Sequence, residues 1–156
     1  MRAPFLAMLF ASFAASVLLA APAFADGLRI KPGQWQRDTS VTTTLAVAGE
    51  VTTLPVDTSV AGECLSSAEA VVDPADLVQE GCSLSDVTTQ DRVLSFALAC
   101  DTAGVTMDGT MKITANADGS QLDGAIALSG AHENGVAMTS NVIIRSRWIG
   151  DCAAGN

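Results

Sequence analysis

Imidazole chemistry in this 156-residue sequence has a single source, His132. A base-assisted nucleophile would need that ring to meet an orienting carboxylate and a hydroxyl or thiol in space, and the adjacent Glu133 points away from it in extended chain. His132-Glu133-Asn134-Gly135 reads as a turn, so His132 is expected to be a solvated turn residue. Tyrosine is absent, which removes another common proton donor. Two carboxylates such as Asp108 and Asp123 could in principle do glycosidase-type work, yet no spacing places them in a shared cleft. Asn116, Asp118 and Ser120 offer the alternate oxygens of a calcium loop, but Gln121 and Ala127 stand where glycine and glutamate are required. That stretch reads as an ordinary turn.

Sulfur gives two further possibilities. Met107, Met111 and Met138 carry the soft ligand copper(I) favours, but two residues four apart on a strand lie too far apart to chelate one ion, and the same positions suit core packing. The four cysteines, Cys64, Cys82, Cys100 and Cys152, lack the close pairs and histidine partners of a zinc site. No serine-hydrolase elbow, zinc-protease helix, phosphate loop or dinucleotide fingerprint occurs. The residues therefore predict no catalytic, cofactor or metal site and argue against an enzyme, with scattered carboxylate chemistry as the alternative.

The cysteines take their meaning from compartment. Arg2 is followed by no charged residue until Asp26, through the apolar run Phe5 to Ala20 and then Ala23-Phe24-Ala25, the small-x-small form of a cleavage site. Residues 1–25 read as a removable secretory signal and 26–156 as one β-rich domain. The run nearly matches a membrane anchor in length, but the cleavage form favours removal; the first cysteine, Cys64, is too distant for lipid attachment. Export out of the cytoplasm is expected, without stable membrane insertion afterwards. In an oxidising compartment an even cysteine number implies two disulfides, with three possible pairings. Loss of Arg2 with the signal leaves seven basic residues against seventeen acidic ones. Nucleic acid and anionic lipid, both read through basic clusters, are therefore poor partners.

The elements that would position any site are mostly strands. Lys31-Pro32-Gly33 marks a turn, Trp35 to Val47 a strand, and Ala48-Gly49-Glu50 a hairpin loop. The return strand, Val51 to Val60, is interrupted by Pro55, which belongs at an edge or bulge because it lacks an amide donor. Ser66 and Glu69 form a capping box, Asp73-Pro74 restarts the chain, and Gly81 ends it, which predicts two short helical turns near residues 66–80. Beyond Cys82 the period is two. An alignment about a turn near Asp91 sets Cys82, Leu84, Asp86 and Thr88 opposite Cys100, Leu98, Phe96 and Leu94. That register makes a Cys82–Cys100 bond geometrically reasonable and leaves Cys64 for Cys152.

Three more strands follow, carrying Val105 to Ile113, Leu122 to Leu128 and Val136 to Trp148 at alternate positions, with polar residues opposite. The expected fold is mainly β, an antiparallel meander forming a curled sheet or open barrel, bent at Gly109 and Gly124.

Lys31-Pro32-Gly33-x-Trp35, Cys64-Leu65, Cys82, Cys100 and the terminal Arg147 to Gly150-Asp151-Cys152 together resemble the family catalogued as domain of unknown function thirty-six seventeen, small exported four-cysteine proteins of Gram-negative bacteria. The likeness spans nearly the whole chain after the signal and departs at Trp148, where a basic or small residue is expected. It implies a periplasmic location and a mostly β fold, and no activity. Curved antiparallel sheets tend to enclose ligand cavities, so the expected function is a non-enzymatic binding or accessory module for an apolar small molecule or a periplasmic protein. Its lining is expected to be Met107, Met111, Ile126, Leu128, Val142 and Ile144. The other reading is a structural or stress-related envelope protein acting through its acidic surface.

Overall fold

The computed structural model describes residues 27–153; the expected export signal lies outside them. Ten strands form in chain order: β1 (Leu28–Arg29), β2 (Gly33–Val47), β3 (Glu50–Thr53), β4 (Asp57–Leu65), β5 (Val71–Val72), β6 (Cys82–Gln90), β7 (Val93–Thr102), β8 (Val105–Ala115), β9 (Gln121–His132) and β10 (Ala137–Gly150). Strands β6 to β10 are the meander that the period-two pattern predicts, each antiparallel to the next. The pairing no local pattern specifies is β10 with β2, running from Ala137↔Ala46 to Gly150↔Gln34. It brings the last strand against the first long one. The far edge of β2 is covered by β3 and then β4, and the sheet stays open between that edge and β6.

Local chemistry sets the ends of these strands. Val47 pairs with Glu50 across Ala48 and Gly49, both at positive φ (50° and 89°), as a two-residue hairpin turn matched to strand twist demands. Pro55 sits in the break between β3 and β4, on the outermost strand, where its missing amide costs no ladder bond.

One expected register is corrected. The β6–β7 ladder holds from Cys82↔Cys100 to Ser85↔Ala97, then shifts so that Thr88 faces Ser95 and Thr89 faces Leu94. Straight alternation would drive Asp86 against the buried Phe96. A bulge instead puts Asp86 at φ 52° and exposed, and turns Val87 onto the core.

The concave face carries the core: Leu94, Phe96, Leu98, Met111, Ile113 and Ala115, with Leu84, Leu122, Ile126, Leu128 and Ile144 packed around them. The convex face is small and polar, as the alternation predicts. Leu28 is buried in the same core, so the chain covers the concave face at one end with β1, its partner β5 and the adjoining segment.

That segment, residues 66–81, is a strap. Its capping box does form, Ser66 N donating to Glu69 Oε2 (2.9 Å) and Glu69 N to Ser66 Oγ (3.4 Å), but it closes only a turn. The two helical turns expected here reduce to one 3-10 turn, Pro74–Leu77, capped by Asp73. Helix cannot continue from Ser66 because Val71 and Val72 must be extended to pair with Arg29 and Leu28. Both strap ends are tethered, Cys64 being bonded to Cys152 and Cys82 to Cys100.

Curvature has a local cause in β8 and β9. A Cβ added at Gly109 would fall on the Ala127 carbonyl oxygen, and one at Gly130 on that of Thr106. Only glycine permits this approach. Gly109→Ala is expected to destabilise the fold by about 1–3 kcal/mol, the range for overpacking against an unyielding backbone. An unchanged urea midpoint for that variant would show that the strands have room there.

Trp148 extends this framework to the amino-terminal turn. Its indole nitrogen donates to the Pro32 carbonyl (2.9 Å), and the Lys31 ammonium sits 3.4 Å from its ring centroid. The residue that departs from the family pattern thus holds the Lys31-Pro32-Gly33 turn against the end of β10.

Candidate functional site

Between the strap and the concave face lies a cavity of ≈ 590 Å³, partly open to solvent. That size falls among small-molecule sites, roughly 300–1,000 Å³. The sheet contributes Trp35, Met111, Ile113, Leu122, Gly124 and Ile144; the strap contributes Val71, Val72 and Leu77. Cross-strand pairing explains why these meet. Ile144 faces Gly124, which faces Ile113, and the two branched side chains close over the residue that has none: a Cβ at Gly124 would lie 3.3 Å from the Ile144 Cβ. Trp35, only 2 % exposed, closes one end and donates its indole N–H to the Lys31 carbonyl at 2.8 Å.

Polar groups come from both the sheet and the strap. Arg37, two positions after Trp35 and therefore on the same face of β2, is paired across the ladder with Ser146 and forms an ion pair with Glu63 of β4. Ser146 is 8 % exposed, the one buried polar residue of the described chain, and borders the cavity. Among the described residues the buried side-chain polar atom without a hydrogen-bond partner is Thr89 Oγ1 rather than the Ser146 hydroxyl. Across the opening the strap presents Glu69, Asp73 and Asp76. Hydrogen bonds from the Ser66 side chain and backbone lower the Glu69 carboxyl from its ordinary value.

The expected ligand face is divided by the strap. Met111 and Ile144 line the cavity, and Ile126 and Leu128 pack against the core beside it. Met107 and Val142 are half-buried on the concave face but outside the cavity lining. Arg37, Glu63, Ser146 and the strap residues were not among the expected lining. The signals for them were a charged residue two positions after Trp35 and a serine breaking the apolar alternation of β10.

The other candidates do not converge. His132 Nδ1 accepts the Asn134 backbone N–H (3.2 Å) within its turn. Asp108 and Asp123 both lie exposed on the convex face, six strand positions apart in register, roughly 20 Å at strand rise. Asn116, Asp118 and Ser120 spend their polar atoms on one another: Ser120 N and Oγ donate to Asp118 Oδ1 (3.1 and 2.7 Å), and Asn116 Nδ2 donates to Ser120 Oγ (3.1 Å). These bonds hold the Asp118 carboxyl below its usual range. Met107 and Met111 are roughly 13 Å apart along β8. Among the described residues no three His, Cys, Asp or Glu side chains cluster as metal ligands, no cysteine is free, and no helix is long and apolar enough to cross a membrane.

A family described as "Protein of unknown function (DUF3617)" matches residues 30–152. No curated protein and no solved structure was found to match the chain.

Proposed function

The chain belongs to that family, and we propose that it is an exported, periplasmic binding module that holds an apolar small molecule between the strap and the concave face of its sheet. The observation that carries this reading is the cavity itself, walled by Trp35, Met111, Ile113 and Ile144 and roofed by a segment tethered at both ends. The apolar part of that wall, open to solvent in the free protein, would be withdrawn from water by a ligand lying against it. The tethers limit what the strap can lose on binding, since a preorganised lid needs less ordering when ligand arrives.

Export is supported by Arg2, the run Phe5 to Ala20 and Ala23-Phe24-Ala25, together with cystines of the kind that persist in oxidising compartments. A binding role without catalysis is supported by the separation of His132, Asp108 and Asp123 from the cavity and from one another.

The test is native mass spectrometry of protein isolated from its own compartment, alongside Ser146→Phe, which puts a ring into the cavity. The wild type is expected to carry added mass and the variant none, with binding of a neutral solvatochromic dye weakened at least tenfold. Bare protein in both samples, or equal dye affinity, would sink the proposal.

A further inference from the structure

We propose that two copies of this chain pair through the free edge of β4, antiparallel and about a twofold axis at Thr58, so that their sheets join into one. The edge is bare. Residues 47–63 are exposed without interruption, and five of the eight large apolar side chains exposed among the described residues fall there: Val47, Val51, Leu54, Val56 and Val60. The other outer strand, β6, carries the bulge at Asp86 and has the strap beside it, both of which discourage edge pairing. By contrast β4 follows β2 from Asp57 to Leu65 with no register shift.

Backbone geometry fixes which groups β4 offers. Leu54 N donates to the Thr43 carbonyl (2.9 Å), so Thr43 and every second residue before it, Val41, Thr39, Arg37 and Trp35, turn their backbone groups toward the return strand. Trp148 agrees, since its N–H donates to the Ser120 carbonyl (2.8 Å), away from its ladder partner Trp35. Asp57, Ser59, Ala61 and Glu63 face those β2 residues and spend their amides on them. Thr58, Val60 and Gly62 therefore point N–H and C=O outward. A second β4 laid antiparallel beside the first meets each donor with an acceptor, the mode by which strands add to an open edge.

Charge and side-chain size select the register. Centring the pair on Val60 sets Asp57 opposite Glu63 of the second copy twice, and like charges directly opposite are unfavourable. Centring on Ser59 or Ala61 sets a valine opposite Gly62. Centring on Thr58 sets Val56 opposite Val60 and Asp57 opposite the Ser59 hydroxyl, each twice. Pro55 costs this pairing nothing, because its missing donor would face β2.

The test is sedimentation equilibrium of the purified oxidised protein over a concentration series. One strand pairing makes a small interface, so a reversible dimer half-formed at roughly 100 μM is expected. It should tighten as salt is added, because both copies are acidic, with seventeen acidic residues against eight basic ones in the chain. Val60→Pro removes one outward donor per copy and is expected to weaken association at least tenfold while the urea midpoint holds. Val60→Lys, which leaves the backbone intact, should weaken it as well. Ser59→Pro is expected to lower the midpoint, because that amide bonds β2. Protein that stays monomeric to about 1 mM at high salt overturns the proposal, as does a Val60→Pro variant that dimerises like the wild type or loses as much stability as Ser59→Pro. Association that weakens with salt overturns it too, and would assign the edge to a basic segment of another protein.

Discussion

Trp35→Ala is expected to lower unfolding stability by about 3–5 kcal/mol, the range for truncating a large buried aromatic side chain. The indole is 2 % exposed, lines the cavity end, and donates to the Lys31 carbonyl that begins the Lys31-Pro32-Gly33 turn. Its loss therefore removes packing and orphans a backbone acceptor together. Trp148→Ala offers the contrast. That ring is half-buried, and deleting it forfeits one hydrogen bond and one cation–π contact, about 1–2 kcal/mol between them. The chain holds two tryptophans and no tyrosine, so each single variant leaves one indole to report unfolding by fluorescence. Trp148→Phe is then the reporter of choice for the cavity, because the remaining Trp35 emission should change when ligand enters. If denaturation midpoints rank the two alanine variants equally, Trp35 is not the anchor its burial indicates.

The meander was legible because period two survives in sequence wherever one face is buried and the other wet. Val105 to Ile113 and Val136 to Trp148 announce their faces without reference to any neighbour. The same alternation misled at Asp86, since a single bulged residue reverses every later side chain and nothing local marks the slip. What gives it away is energetic, a carboxylate assigned to a position opposite Phe96. Helix signals at Ser66-x-x-Glu69 were chemically right, as both capping bonds form, yet the pairing of Val71 and Val72 with the amino-terminal strand overrode them.

The cavity was only half legible. Met111 and Ile144 were accessible from periodicity, whereas Arg37, Glu63 and Ser146 come together through the β10–β2 and β2–β4 ladders, whose partners are distant in sequence. The strap acids arrive by a third route, across the open concave face. A pattern within one strand tells which face a residue takes; it does not tell which strand, or which covering segment, lies opposite. The polar groups of this site are brought in by such long-range meetings, and so sequence reading named two residues of its apolar wall, Met111 and Ile144, and none of its charges.

The disulfides yield the other large effect. Replacing Cys64 and Cys152 by serine is expected to cost about 4–5 kcal/mol, against about 3 kcal/mol for Cys82 and Cys100, because the chain-entropy estimate grows with the separation closed, 88 residues in one case and 18 in the other. The two bonds also differ in what they hold. Cys82–Cys100 spans neighbouring strands already joined by a hairpin, whereas Cys64–Cys152 ties the chain beyond β10 to the end of β4, immediately before the strap. Without it the meander β6 to β10 keeps its ladders and its far-ultraviolet signature, but the strap loses one of its two anchors. Ordering the strap then becomes part of binding, and affinity for a cavity ligand is expected to fall by tenfold or more while the circular dichroism spectrum stays β-rich. Denaturation under non-reducing conditions measures the first consequence and dye titration the second. Equal midpoints for wild type and the Cys64→Ser, Cys152→Ser variant would refute the tether's contribution to stability. Undiminished dye affinity in a folded variant would show that the strap holds its place over the cavity without that bond.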